Sequence, residues 1–225
     1  MKYFFFIVLA ISLIFGCEKP LKQKITYHQN GTIRTISHYQ IDNIKEGLYK
    51  EYHKNGQLKS LKYYVRGKKD SIYKKFHNNG KLAFKGFYKN GTKEGLFEKF
   101  HYNGQLHYKG NYINGYKEGL FVKWFDNGSI SDKKNYIKSH WHGTWTRWHE
   151  NGNLFTKTEY LNGVKNGPYQ EWHKNSTLRY KGSYKNNMKH GLWEKYNDQN
   201  KLIYTKKYFN DCLLYTSPSP RDPHL

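Results

Sequence analysis

A repeat of 24 residues most constrains what this chain can fold into. Asn-Gly pairs begin at Asn55, Asn79, Asn103, Asn127 and Asn151, always 24 residues apart. Two further columns rich in Gly, Asn and Ser share this period. The first, defined as position 0 of the repeat, contains Gly47, Ser71, Gly95, Gly119, Gly143, Gly167 and Gly191. The second contains Asn43, Gly67, Gly91, Gly115, Ser139, Gly163 and Asn187. Because Gly and Asn adopt positive φ at low cost, the three columns predict turns.

Between the predicted turns lie short segments that are rich in aromatic residues. Position 2 is aromatic in every repeat, and position 17 is always Tyr, from Tyr64 to Tyr208. Aromatic, β-prone segments that flank Asn-Gly are a strong hairpin signal. The sequence therefore predicts a series of β-hairpins whose core is built from aromatic rings.

The length of the Asn-Gly loop decides which columns share a face of each hairpin. A three-residue loop such as Tyr102-Asn103-Gly104 pairs position 5 with position 11 and places positions 1, 5, 11, 13 and 17 on one apolar face. A two-residue loop places position 2 there instead, because a shift of one residue turns every side chain to the other face. We prefer the three-residue loop, which gathers more apolar columns, although the sequence leaves both open.

In the preferred register, aromatic residues and lysines share the second face. This candidate binding face contains the position 2 residues Phe97, Phe121, Trp145, Tyr169 and Trp193 and the position 14 residues Lys85, Lys109, Lys133, Lys157 and Lys181. The chain has 39 Lys and Arg against 17 Asp and Glu, a formal charge of +22. Such a face could bind anionic lipid headgroups or envelope glycans. A solvated lysine-rich surface is the simpler interpretation, and we favour it.

The two ends of the chain differ from the repeats in amino-acid composition. Residues 1–16 have a basic start and an apolar stretch, which predicts an export signal, and Ile14-Phe15-Gly16-Cys17 resembles the bacterial lipobox. That resemblance implies a lipid on Cys17, a tether over residues 17–25, and a location in the bacterial cell envelope, at the outer membrane or cell surface. Nucleic acid is not expected there. Residues 212–222 resemble a translated sequencing adaptor, and the tail 212–225 is interpreted as an artefact.

The sequence offers no catalytic or metal-binding motif that we could recognise. Histidines recur just before the Asn-Gly loop, as His53, His77 and His101, but equivalent positions in adjacent repeats lie about 10 Å apart, too far to share one metal. Glu46, Glu94 and Glu118 recur one or two repeats apart, at least about 10 Å, which is too far to form an acid–base pair unaided. We expect no enzyme activity, no cofactor and no metal.

The repeat resembles the bacterial MORN-repeat variant family through the motif that runs from Gly95 to Leu106, Gly-Leu-Phe-Glu-Lys-Phe-His-Tyr-Asn-Gly-Gln-Leu. The resemblance covers residues 26–211. It implies an all-β fold, an elongated open antiparallel meander of about eight hairpin repeats in a single-layer twisted sheet. It also implies a protein-interaction scaffold, and through the YwqK-like antitoxin group it implies neutralisation of a toxin by direct contact.

Overall fold

The computed structural model describes residues 21–40 and 42–218, which form 18 β-strands and no helix. The strands are β1 (Lys22–Tyr27), β2 (Ile33–Tyr39), β3 (Gly47–Tyr52), β4 (Leu58–Val65), β5 (Lys68–Phe76), β6 (Leu82–Lys89), β7 (Thr92–Phe100), β8 (Leu106–Ile113), β9 (Tyr116–Trp124), β10 (Ile130–Ile137), β11 (His140–Trp141), β12 (Gly143–Trp148), β13 (Leu154–Leu161), β14 (Val164–Trp172), β15 (Leu178–Lys185), β16 (Met188–Tyr196), β17 (Leu202–Phe209) and β18 (Cys212–Pro218).

All described strands belong to one antiparallel sheet in which, apart from β11 and β12, each strand pairs with the next strand of the chain. The short β11 and β12 together occupy one strand position, since β10 pairs with both. Two strands for every repeat give the hairpin meander that was predicted, and the all-β fold class is confirmed. The sheet extends beyond the predicted array, because β1 begins at Lys22, within the predicted tether, and β18 lies in the predicted tail.

The predicted turn columns adopt the left-handed backbone conformation. Along one of the two sides of the sheet where the strands end, Asn90 and Gly91 form a two-residue turn with φ values of 51° and 84°. The pair Lys89–Thr92 closes this turn. Two positive φ angles fit the type I′ turn that joins twisted strands. At the opposite ends of the strands, Gly104 has a φ of 93°, and its N–H donates a hydrogen bond of 2.9 Å to the carbonyl of His101. Turn chemistry therefore fixes where each strand ends.

The predicted loop register is right, but the predicted assignment of faces is wrong. Phe100 faces Leu106, as a three-residue loop requires, yet the next pair is Lys99 with Tyr108. His107 is thus an extra residue, a β-bulge that inverts the alternation of side chains along the rest of the hairpin. Position 2 consequently joins position 17 on the core face, while position 1 turns outward. Position 5 residues such as Phe100 are only half-buried.

The core is a row of aromatic rings along one face of the sheet, called here the aromatic face. Its centre is a cluster of Phe97, Tyr112, Phe121 and Tyr136. The ring centroids of Phe97 and Tyr112 lie 4.7 Å apart, and those of Phe121 and Tyr136 lie 4.8 Å apart. Tilted and edge-on contacts of this kind stabilise aromatic pairs beyond the burial of their area. The opposite face, which bears the position 14 lysines, is called the open face.

A lysine from each of most repeats covers the aromatic row. The Nζ atom of Lys93 lies 4.7 Å from the ring centroid of Tyr112 and 5.6 Å from that of Phe97. The same contact recurs every 24 residues, and in one repeat Trp141 takes this place and packs on Trp145 and Tyr160. The lysines that make it are Lys45, Lys69, Lys93, Lys117, Lys165 and Lys189. Their stems shield the rings from water while the ammonium groups lie against π-faces.

Candidate functional site

The aromatic half of the predicted binding face is not available for binding. Phe97 is 2% exposed, Phe121 3% and Trp193 5%, while Trp145 and Tyr169 are half-buried. These rings form the core because the bulge described above turns position 2 inward. Our interpretation of position 2 as an exposed surface was therefore wrong, and these residues stabilise the sheet.

The lysine half of the predicted face lies on the open face, and three of its five members make ion pairs, two of them with the same carboxylate. Glu98 pairs with Lys85 at 2.8 Å and with Lys109 at 3.8 Å, and Lys181 lies 3.6 Å from Glu194. Lys133 instead lies 5.6 Å from the Trp148 ring centroid. Lys157 lines a shallow concavity between Thr146 and Gln170. Lysines and position 2 aromatics thus occupy opposite faces, which removes the combined site that the sequence predicted.

The open face exposes apolar side chains that the sequence analysis assigned to the core or did not consider. Leu96 pairs with Asn111 and Leu120 with Asn135, so both leucines share a face with the position 14 lysines, and Leu120 is 56% exposed. Alternation along each strand puts residues such as Ile113 on the same face. This open-face apolar strip consists of Tyr63, Val65, Ile72, Phe87, Leu96, Ile113, Leu120, Ile137 and Leu161.

A second set of lysines lies on the aromatic face between β5 and β9. Across these five strands the register alternates cations with rings, in the order Lys75, Phe84, Lys99, Tyr108, Lys123. Lys69, Lys93 and Lys117, which cover the aromatic rings, lie on β5, β7 and β9, the strands that also carry the three lysines of this register. These six lysines are called here the basic groove. The sequence contained a signal for this groove, because its six lysines form two series that recur every 24 residues. The candidate binding face predicted from the sequence included only the lysines of position 14.

The titratable groups of the basic groove reflect burial and positive neighbours. Burial lowers the pKa of His107, and the charges of His101, Lys123 and Lys99 lower it further, against the opposing effect of Asp132. Burial chiefly, with a hydrogen bond to Tyr112, raises the pKa of the Tyr108 hydroxyl. Desolvation of charge and like-charge repulsion are the physical causes. At neutral pH we therefore expect the imidazole of His107 and the hydroxyl of Tyr108 to be uncharged.

The histidine column links adjacent repeats. His53 Nε2 lies 3.1 Å from the carbonyl oxygen of Phe76, and His77 Nε2 lies 3.1 Å from that of Phe100, each in the next repeat. The turn asparagines act in parallel, since Asn79 Nδ2 donates to the carbonyl of Tyr102 at 3.0 Å. Within residues 21–40 and 42–218, no group of three His, Cys, Asp or Glu side chains is placed to hold a metal ion.

The recurring glutamates have a structural contact that the sequence analysis missed. Glu94 Oε2 accepts a hydrogen bond of 2.8 Å from the backbone N–H of Asn114, in the type I′ turn of the following repeat. Glu46 and Glu118 make the equivalent bonds to Arg66 and Lys138. Each carboxylate therefore satisfies a turn N–H, and charge-assisted bonds of this kind are among the stronger ones.

Cys17 and the predicted export signal lie outside the described residues. In the part of the chain that the structure does describe, no helix is long and apolar enough to cross a membrane. The segment 212–218, part of the predicted tail, pairs with β17 through contacts such as Phe209–Cys212.

Comparison with known proteins identifies the repeat. The sequence profile described as MORN repeat variant matches residues 45–66, 69–90, 93–114, 141–162 and 165–186. The intervals between and after these segments contain the same hairpin, in β9–β10 and β16–β17. No curated protein matched the chain. MORN repeats commonly mediate protein or membrane interactions and are typically non-enzymatic. The chain therefore contains five repeats of the MORN repeat variant family.

Proposed function

We propose that this chain is a non-catalytic interaction scaffold whose open face docks a protein partner. The observation that carries the proposal is the open-face apolar strip, which crosses successive repeats and includes Leu96 at 41% and Leu120 at 56% exposure. Exposed apolar side chains that recur along one face of a protein indicate a site of interaction when they form a common patch. The aromatic face needs no partner to cover its rings, because its own lysines lie over them.

The charges beside the strip define the chemistry of the partner. Lys133 and Lys157 border it without an ion pair among the described residues, and the chain as a whole carries +22. We therefore expect a protein that presents an apolar patch flanked by carboxylates, which would also accelerate association. A toxin neutralised by direct contact is a specific version of this proposal, and it rests on the resemblance to antitoxins.

Replacing two leucines of the strip by glutamate should abolish docking while leaving the fold intact. We expect Leu96→Glu/Leu120→Glu to lose the partner, because charges would be buried in the interface without compensation. The measurement is quantitative co-purification from the source cells with wild type and variant side by side. Tyr27→Glu, an equally exposed site on β1, is the matched control and should retain the partner. Equal recovery with the double variant would contradict docking at the strip.

The proposed lipid anchor would hold this scaffold at a bacterial membrane. The support is the lipobox-like sequence that ends at Cys17 and the short distance, ten residues, between Cys17 and Tyr27 at the end of β1. Two or three acyl chains provide a stable anchor, since each buried methylene contributes about 0.8 kcal/mol.

Substitution of the proposed lipidated cysteine should release the protein. We expect Cys17→Ser to shift the chain from the membrane fraction to the soluble fraction of lysed cells, as followed by immunoblotting. Cys212→Ser is the control, because Cys212 is exposed and is not part of the lipobox-like sequence. If both variants fractionate like the wild type, the anchor proposal fails.

Binding of anionic lipid headgroups or envelope glycans is the alternative function. A binding site made of the position 2 rings with Lys85 and Lys109 is disfavoured, because the rings are buried and both lysines pair with Glu98. Binding of this type should decline steeply with salt, whereas docking at an apolar strip should change little.

A further inference from the structure

We propose that the basic groove on the aromatic face is a binding site for clustered phosphate groups. The six lysines that form it, on alternate strands from β5 to β9, are Lys69, Lys75, Lys93, Lys99, Lys117 and Lys123. The site is separate from the open-face apolar strip, because it lies on the opposite side of the sheet. It also differs from the lysine column that the sequence analysis selected.

The first observation is that these lysines lack carboxylate partners. None of the six makes an ion pair among the described residues, whereas Lys85, Lys109 and Lys181 on the other face all do. Asp132, which follows Lys123 in the cross-strand register, lies 3.6 Å from Lys134 instead. Most of the positive charge of the groove therefore has no direct carboxylate partner in the described part of the protein, and like charges at this density attract a multivalent anion.

The second observation is the regular spacing of the cations across the sheet. Lys75, Lys99 and Lys123 occupy the same cross-strand row, separated by Phe84 on β6 and Tyr108 on β8. Alternate strands are about 9.6 Å apart, so three ammonium groups are presented along roughly 19 Å. A linear or clustered anion can contact two or more of them at once, which a single monovalent ion cannot.

The third observation is a concavity between the lysines. Lys93, Lys99, Lys117 and Lys123 line one concavity of about 330 Å³ together with Tyr108. Lys93 lies 4.7 Å from the ring centroid of Tyr112, and Lys117 lies 4.7 Å from that of Tyr136, contacts that restrict both side chains. Binding would therefore require little ordering of these two side chains, which lowers its entropic cost.

The chemistry of the groove favours phosphate over other anions. All six cations are lysines, and lysine binds phosphate in proteins as a point charge. A phosphate group on a protein or ligand carries about −1.5 to −2 charges at neutral pH, against −1 for a carboxylate, so adjacent phosphate groups match a row of lysines better than the carboxylates of a peptide do. Soluble phosphate chains and phosphorylated lipid headgroups share this chemistry.

Calorimetric titration of the full chain with inorganic tripolyphosphate tests the site. We expect binding at about 50 mM salt that weakens strongly at about 200 mM salt. Lys99→Gln/Lys123→Gln, which removes two charges that cover little apolar surface, should weaken binding by about tenfold or more. Lys85→Gln/Lys109→Gln removes the same charge from the neighbouring strands β6 and β8 on the open face, and should change binding by no more than about twofold.

Vesicles distinguish the two sources of phosphate. Phosphatidylcholine vesicles with and without a bisphosphorylated inositol lipid are sedimented with the protein, with tripolyphosphate as competitor. Recovery on the phosphorylated vesicles that tripolyphosphate reverses assigns a lipid headgroup, and tripolyphosphate binding without such recovery assigns a soluble ligand. Both results support the site if Lys99→Gln/Lys123→Gln abolishes them.

Two outcomes would overturn the proposal. One is that neither probe binds the wild-type chain at low salt. The other is that both double variants weaken binding equally, which would show attraction to net charge alone. Circular dichroism confirms that the variants remain folded. Leu96→Glu/Leu120→Glu should bind tripolyphosphate like the wild type, so failure of the docking proposal and failure of this one are separable.

Discussion

Phe121→Ala is expected to lower the free energy of unfolding by about 3–4 kcal/mol, the usual cost of removing a buried aromatic ring. Phe121 is 3% exposed and its ring contacts Tyr108, Tyr112 and Tyr136, with centroid distances of 5.5, 5.6 and 4.8 Å. A single-layer sheet has no second layer to close the cavity. Equilibrium denaturation followed by circular dichroism measures the change.

The preceding residue of the same strand supplies the control. Leu120→Ala should cost about 1 kcal/mol or less, because Leu120 is 56% exposed on the open face. The pair of variants also distinguishes the two assignments of faces, since without the bulge Leu120 would point inward and Phe121 outward. A larger loss for Leu120→Ala than for Phe121→Ala would contradict the position of the bulge.

Gly110→Val should destabilise the sheet by about 3 kcal/mol or more, since it overfills a packed position. Gly110 lies beneath the ring of Phe121, and a Cβ atom there would overlap the Cδ1 atom of that ring. The valine side chain would displace the ring of Phe121, and this displacement would expose the rings of Tyr112 and Tyr136 to solvent. Thermal and chemical denaturation of the variant should both show the loss.

A double variant identifies the cause of this loss. In the Phe121→Ala background, Gly110→Val should cost much less than it does alone, because the clashing ring is gone and contacting residues are not additive. Gly95→Ala is a second comparison, with a strained φ of 71° but open space around the new Cβ, and should cost about 1 kcal/mol. Additive losses for Gly110→Val and Phe121→Ala would contradict the proposed close packing.

Several features of the fold could be predicted from local chemistry. Turn residues such as Asn90-Gly91 and Gly104 have a conformational preference that hardly depends on the rest of the chain. The strand ends predicted from these residues are therefore confirmed. The pairing of Phe100 with Leu106 agrees with the preferred three-residue loop, although the sequence left the loop length open and the apolar face that favoured this loop was assigned wrongly. The MORN repeat variant family was also recognised from the motif, because its period and its turn columns are encoded locally.

The assignment of faces could not be predicted in the same way. One extra residue at His107 exchanges the two faces, and a bulge is favoured only when the packing on both sides is known. Phe97 and Leu96 therefore changed places relative to the expectation, although the residues themselves gave no local signal.

The sequence by itself determined the repeat, the turns, the hairpins and the excess of positive charge, since these depend on residue type and spacing along the chain. Only the tertiary structure decided which lysines are neutralised. Lys109 reaches Glu98 because their strands are adjacent, whereas Lys99 and Lys123 have Tyr108 between them, and Asp132, which lies opposite Lys123, pairs with Lys134 instead. Coulombic pairing depends on distances across the sheet, and those distances follow from register and face rather than from composition.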